Sequence, residues 1–229
     1  MRLYVKHCPE ACPERRPLLE QHLKERGFTD VQWVTEFSVN NPFVPWVYKR
    51  LGNRLSIPGV SGLVGTLESL QRLVDDPTIN SAMFCDDDVV FIKDWEQKLN
   101  IPAGIPFINA SVGVNFHILP DGKLQQLNNN GGCEVAWMTK DFARLVLENV
   151  DARSGLDHVF FALLRMCNMP LLCSPVAQQT SILLPKKPVI ENVEKPHEET
   201  WSDFLIHFKP TGIKYLDLWN ESGYIRQHV

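Results

Sequence analysis

Three consecutive acids, Asp86-Asp87-Asp88, stand between the apolar runs Ala82-Met83-Phe84-Cys85 and Val89-Val90-Phe91-Ile92. Runs of this kind read as a buried strand, so the carboxylates sit at or near its end. Isolated charges are too costly there without a cation or dense hydrogen bonding. In an extended segment alternate side chains share a face, which puts Asp86 and Asp88 together and turns Asp87 the other way. Two oxygen ligands on one face suit Mg²⁺ or Mn²⁺ carrying substrate phosphates. Such a cation offsets the negative charge that develops on a leaving diphosphate. Acids after a strand also cap helices or solvate turns. The apolar residues on both sides favour the metal reading here.

The elements around the triplet read as alternating strands and helices. Leu3 to Lys6 is a short apolar strand. Pro13 to Arg26 carries leucines at 18, 19 and 23 among charges, as an amphipathic helix does. Gly27 stops that helix, and Val31 to Val34 is a second strand. A strand-helix-strand opening implies a parallel sheet with helices on its faces. Asn41 to Gly59, rich in Pro, Asn, Gly, aromatics and Arg, reads as an irregular loop near a ligand. Leu63 to Val74 is helical in period and returns the chain to the acidic strand. Phe107 to Leu119 is β-rich, Val135 to Met138 is a strand, and Lys140 to Asn149 is a helix with Phe142, Leu145 and Val146 on one face. A further helical run extends from Val159 to Met166, and Pro185 to Thr200 reads as a long surface loop or lid.

At 229 residues the chain fits one α/β domain. Hydrophobic residues at 44% and charged residues at 22% are ordinary globular values. A net charge of −4 argues against a general nucleic-acid binder. No run approaches the roughly 18 apolar residues of a membrane span, and the first residues lack the apolar core and cleavage site of a signal peptide. Six cysteines without regular spacing read as reduced, mostly buried thiols of a cytoplasmic protein.

The stretch Gly62-Leu63-Val64-Gly65-Thr66-Leu67-Glu68-Ser69-Leu70, followed by Met83-Phe84-Cys85-Asp86-Asp87-Asp88-Val89, resembles the helix and acidic strand end of GT-A-fold glycosyltransferases. The likeness is to the lipopolysaccharide-type and procollagen-type galactosyltransferases. It extends to Leu3-Tyr4-Val5 with Arg15 and Arg16, to Gly132 through Lys140, and to Pro175-Val176-Ala177-Gln178-Gln179-Thr180-Ser181. A compact chain of this kind also resembles the glycosyltransferases encoded by large algal viruses, which would place it in a host cytoplasm. The resemblance implies a single GT-A-like domain with a mixed, mostly parallel sheet, residues 1–100 forming a nucleotide-binding half and 101–229 an acceptor half. It implies transfer of a hexose or deoxyhexose from a nucleotide-sugar, a UDP-sugar above all, to a hydroxyl on a glycan or glycoprotein, with Mn²⁺ or Mg²⁺.

Residue by residue, Ile206-His207-Phe208-Lys209-Pro210-Thr211-Gly212-Ile213-Lys214 resembles a late His-Phe-x-Gly-x-x-Lys segment whose histidine completes the metal shell and whose lysine meets the diphosphate. Lys209-Pro210 stands where that pattern has Gly, so Lys209 and Lys214 both remain candidates. The implied metal ligands are Asp86, Asp88 and His207, imidazole suiting Mn²⁺ better than Mg²⁺. Asp157 is the candidate base of an inverting reaction, its bland alternative being an N-cap. Nucleotides lie over the carboxyl ends of strands in open α/β sheets. That nominates Lys6, His7, Arg15 and Arg54, with Asp86 and Asp87, for nucleotide contacts. Asn109, Gly131 and Gly132 are placed near the donor sugar. Two rival functions are a nucleotide-sugar-binding module without turnover and a haloacid-dehalogenase-type phosphotransferase. The latter carries its Asp-x-Asp on the first strand, whereas this motif lies late.

Overall fold

The computed structural model describes residues 1–51, 55–111, 116–118, 124–126, 133–150, 156–170, 172–179 and 212–226. In chain order the elements are β1 (Leu3–Lys6), α1 (Arg15–Glu25), β2 (Val31–Val34), α2 (Phe43–Leu51), α3 (Ile57–Asp75), β3 (Ser81–Asp86) and β4 (Val89–Phe91). They continue with α4 (Trp95–Lys98), β5 (Phe107–Ser111), β6 (Phe116–Ile118), β7 (Leu124–Gln126), β8 (Val135–Thr139), α5 (Lys140–Leu147), α6 (Leu156–Met166), β9 (Leu172–Gln179) and α7 (Tyr215–Ser222).

Seven strands form one mixed sheet in the order β2-β1-β3-β8-β5-β9-β4, and β6 pairs with β7 apart from it. β1 is parallel to both β2 and β3, and β5 is parallel to β9; β8 and β4 run against their neighbours. The fold is therefore α/β with most strands pointing one way, as the strand-helix-strand opening implied. Alternation along β1 and β3 divides the interior in two. Tyr4, Ala82 and Phe84 face a large core built with α2, α3, α5, α6 and α7, while Leu3, Val5, Met83 and Cys85 face a smaller one with α1 and α4. The chain steps from β1 outward to β2 and then back across to β3. A crevice consequently opens between the carboxyl ends of β1 and β3.

Several expectations are corrected. The segment read as an irregular loop holds α2 and the start of α3. Asn41 Oδ1 accepts from the Phe43 amide at 2.9 Å, and Ser56 Oγ from the Gly59 amide at 3.2 Å. These caps, with prolines confined to the first turns, outweigh the loop-like composition. The acids do stand at a strand end, since β3 ends at Asp86, but Asp87-Asp88 form a turn, so the expected alternation of the three does not hold, and β4 joins the far edge of the sheet. Leu18 is exposed, with only Leu19 and Leu23 of α1 buried among the three leucines. β9 and α7 were not anticipated. Of the five described free cysteines only Cys85 is fully buried, and Cys167 is exposed. Burial pushes the Cys85 thiol well up, leaving it unreactive. The 185–200 loop lies outside the described residues. No described helix is long and apolar enough to cross a membrane.

Two polar devices fasten the layers. At the sheet edge, the Phe91 amide donates to His22 Nε2 at 2.8 Å, and Arg26 Nε donates to the Phe91 carbonyl at 2.9 Å. A side chain of α1 and that of its C-terminal capping residue thus occupy backbone groups of an edge strand. On the other face, Glu68 of α3 is 0% exposed. Its carboxylate accepts two bonds from Arg226 at 2.9 and 3.0 Å, one from the Tyr215 hydroxyl at 3.0 Å and one from Arg72 at 3.2 Å. Burial, then the Glu68 charge, raises the Tyr215 hydroxyl well above its usual value, so it stays a donor.

Removing one partner of a buried charge network strands the others. Glu68→Ala is expected to lower unfolding stability by about 3 kcal/mol in urea denaturation; a loss within experimental error would contradict the network's role. His22 carries a second prediction. Burial, then Arg26, lowers its pKa from the 6.5 of the unfolded chain. Its contribution is complete above that value and is lost as pH falls through it towards the folded value. Between about pH 7.5 and 5 the wild type should lose stability more steeply than His22→Ala, whose profile lacks this slope.

Candidate functional site

The crevice is a cavity of about 490 Å³, lined by the end of β1 (Lys6, His7), by Cys8 and Cys12 of the following turn, by Arg15, by Val34 and Phe37, by Gly62 and Gly65 of α3, and by Asp86, Asp87 and Asp88. Each element delivers its residue for a local reason. β1 and β3 are in register so that Lys6 lies opposite Asp86 at the last pair of the ladder. The His7 amide donates to the Val34 carbonyl at 3.0 Å, carrying the β1–β2 pairing one residue beyond Lys6. The Cys12 amide then donates to the Cys8 carbonyl at 3.1 Å, and this turn leads into α1 with Arg15 in its first turn.

The triplet divides differently from strict strand alternation, because only Asp86 is in the strand. Asp86 Oδ1 is 2.8 Å from Lys6 Nζ. Asp87 and Asp88 both face Arg15 Nη1, at 2.8 and 3.4 Å. Asp87 is 7% exposed, and its second oxygen lies 2.7 Å from His7 Nδ1. That carboxylate is used up in holding His7 and Arg15 in place. The His7 ring packs edge-on against Trp33, and the Arg16 guanidinium lies 4.7 Å from the centre of the Trp33 ring system. Burial opposes the charge on Arg15, but the bond to Asp87 and the Asp88 charge outweigh it and raise its pKa. Burial likewise raises the Cys12 thiol, against the pull of Arg15.

A second cavity of about 330 Å³ lies on the α3 side of the sheet and shares Lys6, Gly62 and Asp86 with the first. Its floor is apolar, with Tyr4, Phe84, Met138, Leu156 and Phe160; its polar groups are Lys6, Thr66, Ser69, Asp86 and Glu134. Lys6 crosses between the two. Its Nζ donates to Thr66 Oγ1 at 3.1 Å and its stem lies against Gly65, where a Cβ would come within 3.1 Å of Lys6 Cγ. Burial works against the Lys6 ammonium, but Asp86, Asp87 and Asp88 more than compensate and raise its pKa.

Of the residues nominated from sequence, Lys6, His7, Arg15, Asp86, Asp87 and Asp88 are brought together. Asn109 is elsewhere: it is buried in β5, its Oδ1 accepting from the Ser111 amide and hydroxyl at 3.1 and 2.8 Å. Lys214 immediately precedes α7 and, among the described residues, lines neither cavity. Asp157 is the second residue of α6, next to the cavity-lining Leu156. Arg54, Gly131, Gly132, His207 and Lys209 lie outside the described residues. Thr66, Ser69 and Glu134 were not nominated. The signal for the α3 face was present: two glycines three apart inside a helix are unfavourable unless something must approach closely.

For a divalent cation the donor chemistry of Asp86 and Asp88 is suitable. Mg²⁺ and Mn²⁺ sites that carry phosphates need only one or two protein carboxylates. Among the described residues no group of three or more His, Cys, Asp or Glu side chains is arranged around a common point.

No family model and no curated protein matches the chain. Solved structures that resemble it include the catalytic domain of Drosophila β-1,4-galactosyltransferase 7 in complex with xylobiose, 13% identical over 100% of this chain and 81% of that one, with a TM-score of 0.43. A mutant of the same enzyme, in complex with manganese, UDP-Gal and xylobiose, is 14% identical over 76% of this chain with a TM-score of 0.41; the match spans 65% of that chain's length. A glycosyltransferase involved in glycosylation of the major capsid of PBCV-1 is 11% identical over 78% of this chain and 92% of that one, with a TM-score of 0.45.

The different burial of the acids gives a test independent of ligand. Asp87→Asn, which breaks a buried two-partner anchor, should lower stability by about 2 kcal/mol. Asp86→Asn, at a carboxylate with 36% exposure, should cost under about 1 kcal/mol. Equal effects in denaturant titrations would contradict this division.

Proposed function

We propose that this chain is a glycosyltransferase that binds a nucleotide-sugar in the crevice between β1 and β3 and transfers the sugar to a hydroxyl acceptor. The observation that carries the reading is the convergence of Lys6, His7, Arg15 and the acidic triplet at the carboxyl ends of adjacent parallel strands, at the point where the chain reverses its direction across the sheet. The larger cavity has the size of a small-ligand site, with Val34 and Phe37 as apolar surface for a base. The second, joined across Lys6 and Asp86, offers room beside it for the transferred sugar.

In this reading Arg15 and Lys6 hold the diphosphate, Asp87 keeps His7 and Arg15 aimed at it, and the apolar walls exclude water from the scissile bond. Asp86 and Asp88 would hold a Mn²⁺ or Mg²⁺ ion, with His207 as a further ligand, and such an ion supplies positive charge to the departing phosphates. Asp157, at the start of the helix that borders the second cavity, would take the proton of the acceptor hydroxyl. UDP is the favoured nucleotide and a glycan or glycoprotein hydroxyl the acceptor. Residues 1–100 then supply the nucleotide half and 101–229 the acceptor half.

Calorimetry with UDP in Mn²⁺ is the direct test. Binding is expected, and Asp88→Ala should abolish its metal dependence while the thermal unfolding transition persists. A wild-type chain that binds no nucleoside diphosphate would overturn the proposal.

A further inference from the structure

The turn between β1 and α1 carries a pair of thiols that the proposed transfer leaves unused. Cys8 and Cys12 both line the larger cavity, and both are partly exposed free thiols. The Ala11 and Cys12 amides donate to the Cys8 carbonyl at 3.2 and 3.1 Å. A chain folded in this way makes one helix-like turn, which sets Cα atoms four residues apart at about 6 Å. Disulfides join Cα atoms roughly 4.4–6.8 Å apart. The two thiols also lie close enough for the charge of Cys8 to bear on the ionisation of Cys12.

The same turn reaches the opposite wall of the cavity. Its exposed tip residue Glu10 accepts a bond at 2.7 Å from Asn40 Nδ2, in the loop after β2, and both residues line the cavity. The base of the turn is fixed independently, because Asp87 holds His7 on one side of it and Arg15 on the other, at 2.7 and 2.8 Å. An exposed hydrogen bond is readily exchanged for water. In the dithiol form the tip is therefore free to part from Asn40 and admit a ligand while its base stays in place. A disulfide across so short a loop removes most of that freedom.

We infer that Cys8 and Cys12 form an oxidative modification site, and that their disulfide holds the turn over the crevice and excludes the ligand. The co-reactant is a low-molecular-weight disulfide such as glutathione disulfide. One cysteine thiolate attacks a sulfur of it and releases the first small thiol. The second cysteine attacks the resulting mixed disulfide at the protein sulfur and releases the other. Two cysteine thiols thus give up two protons and two electrons, and the small disulfide becomes two thiols. Exclusion of a nucleotide rests on the reading proposed above; formation of the bond does not.

In the experiment the full chain is treated with glutathione disulfide at about pH 8, where thiolate is available although burial raises Cys12, then alkylated and digested with trypsin. Lys6 and Arg15 bracket one peptide, His7 to Arg15, that holds both cysteines. It should lose the mass of two hydrogens and carry no glutathione. Calorimetry with UDP in Mn²⁺ should show about tenfold weaker binding by the oxidised chain, restored by dithiothreitol. The double variant Cys8→Ser/Cys12→Ser, checked by thermal unfolding, should keep its own affinity through the same treatment. Glu10→Ala should form the disulfide yet lose only about threefold. Two alkylated thiols or two glutathione adducts on that peptide would refute the site while the glycosyltransferase reading stands. A disulfide without loss of UDP affinity, or an equal loss in Glu10→Ala, would refute closure by the turn. A reduced chain that binds no nucleoside diphosphate removes the nucleotide reading and ligand exclusion with it, whereas the peptide masses still decide whether the bond forms.

Discussion

Two opposite charges, Lys6 and Asp86, terminate neighbouring parallel strands at the same ladder position, and the crevice is organised around that pairing. A lysine and an aspartate at the ends of apolar strands are tolerable only where they meet each other and water together. The side chains are 28% and 36% exposed, which leaves the pair screened but oriented. Arg15 repeats the arrangement one step further out, bringing one guanidinium to two carboxylates. The result is a rim of alternating charge instead of a uniformly acidic one. An anionic ligand therefore meets fixed cations at once and does not first have to overcome three uncompensated carboxylates.

The core strands were legible because short apolar runs flanked by turn residues leave few alternatives: β1, β2 and β8 stand close to where periodicity placed them. The triplet was legible as a site for the same reason, since acids between apolar runs violate the pattern. Its internal division was not. Alternation assumes that extended geometry continues, and the turn at Asp87-Asp88 sets both carboxylates on Arg15, a partner 72 and 73 positions away in sequence. Local composition misled between Asn41 and Gly59 because two side-chain caps decide the helices there, and capping depends on single residues more than on averages. Thr66 and Ser69 are ordinary helix residues by type. Only the neighbouring glycines, read as room for an intruding side chain, distinguish that face of α3.

α3 is the element on which both cavities lean, and it is held by different means at different residues. Towards the sheet it offers glycines and small hydroxyls, a surface that other side chains can enter. The same helix also presents Glu68, fully buried and gripped by Arg226, Arg72 and Tyr215. A helix that must leave one face thin gains little packing energy from it. The strong polar anchor at Glu68 offsets that weakness, so stability and ligand access rest on different side chains of one helix.

Glu68 and Arg226 are 158 positions apart, and that separation has a meaning in time. During synthesis at about 5–20 residues per second, α3 emerges on the order of ten seconds or more before its principal anchor exists. Until then the Glu68 carboxylate keeps its hydration and resists entry to the core. The nascent helix is held off from final docking, and the α3 wall on which both cavities lean is among the last parts of the molecule to set.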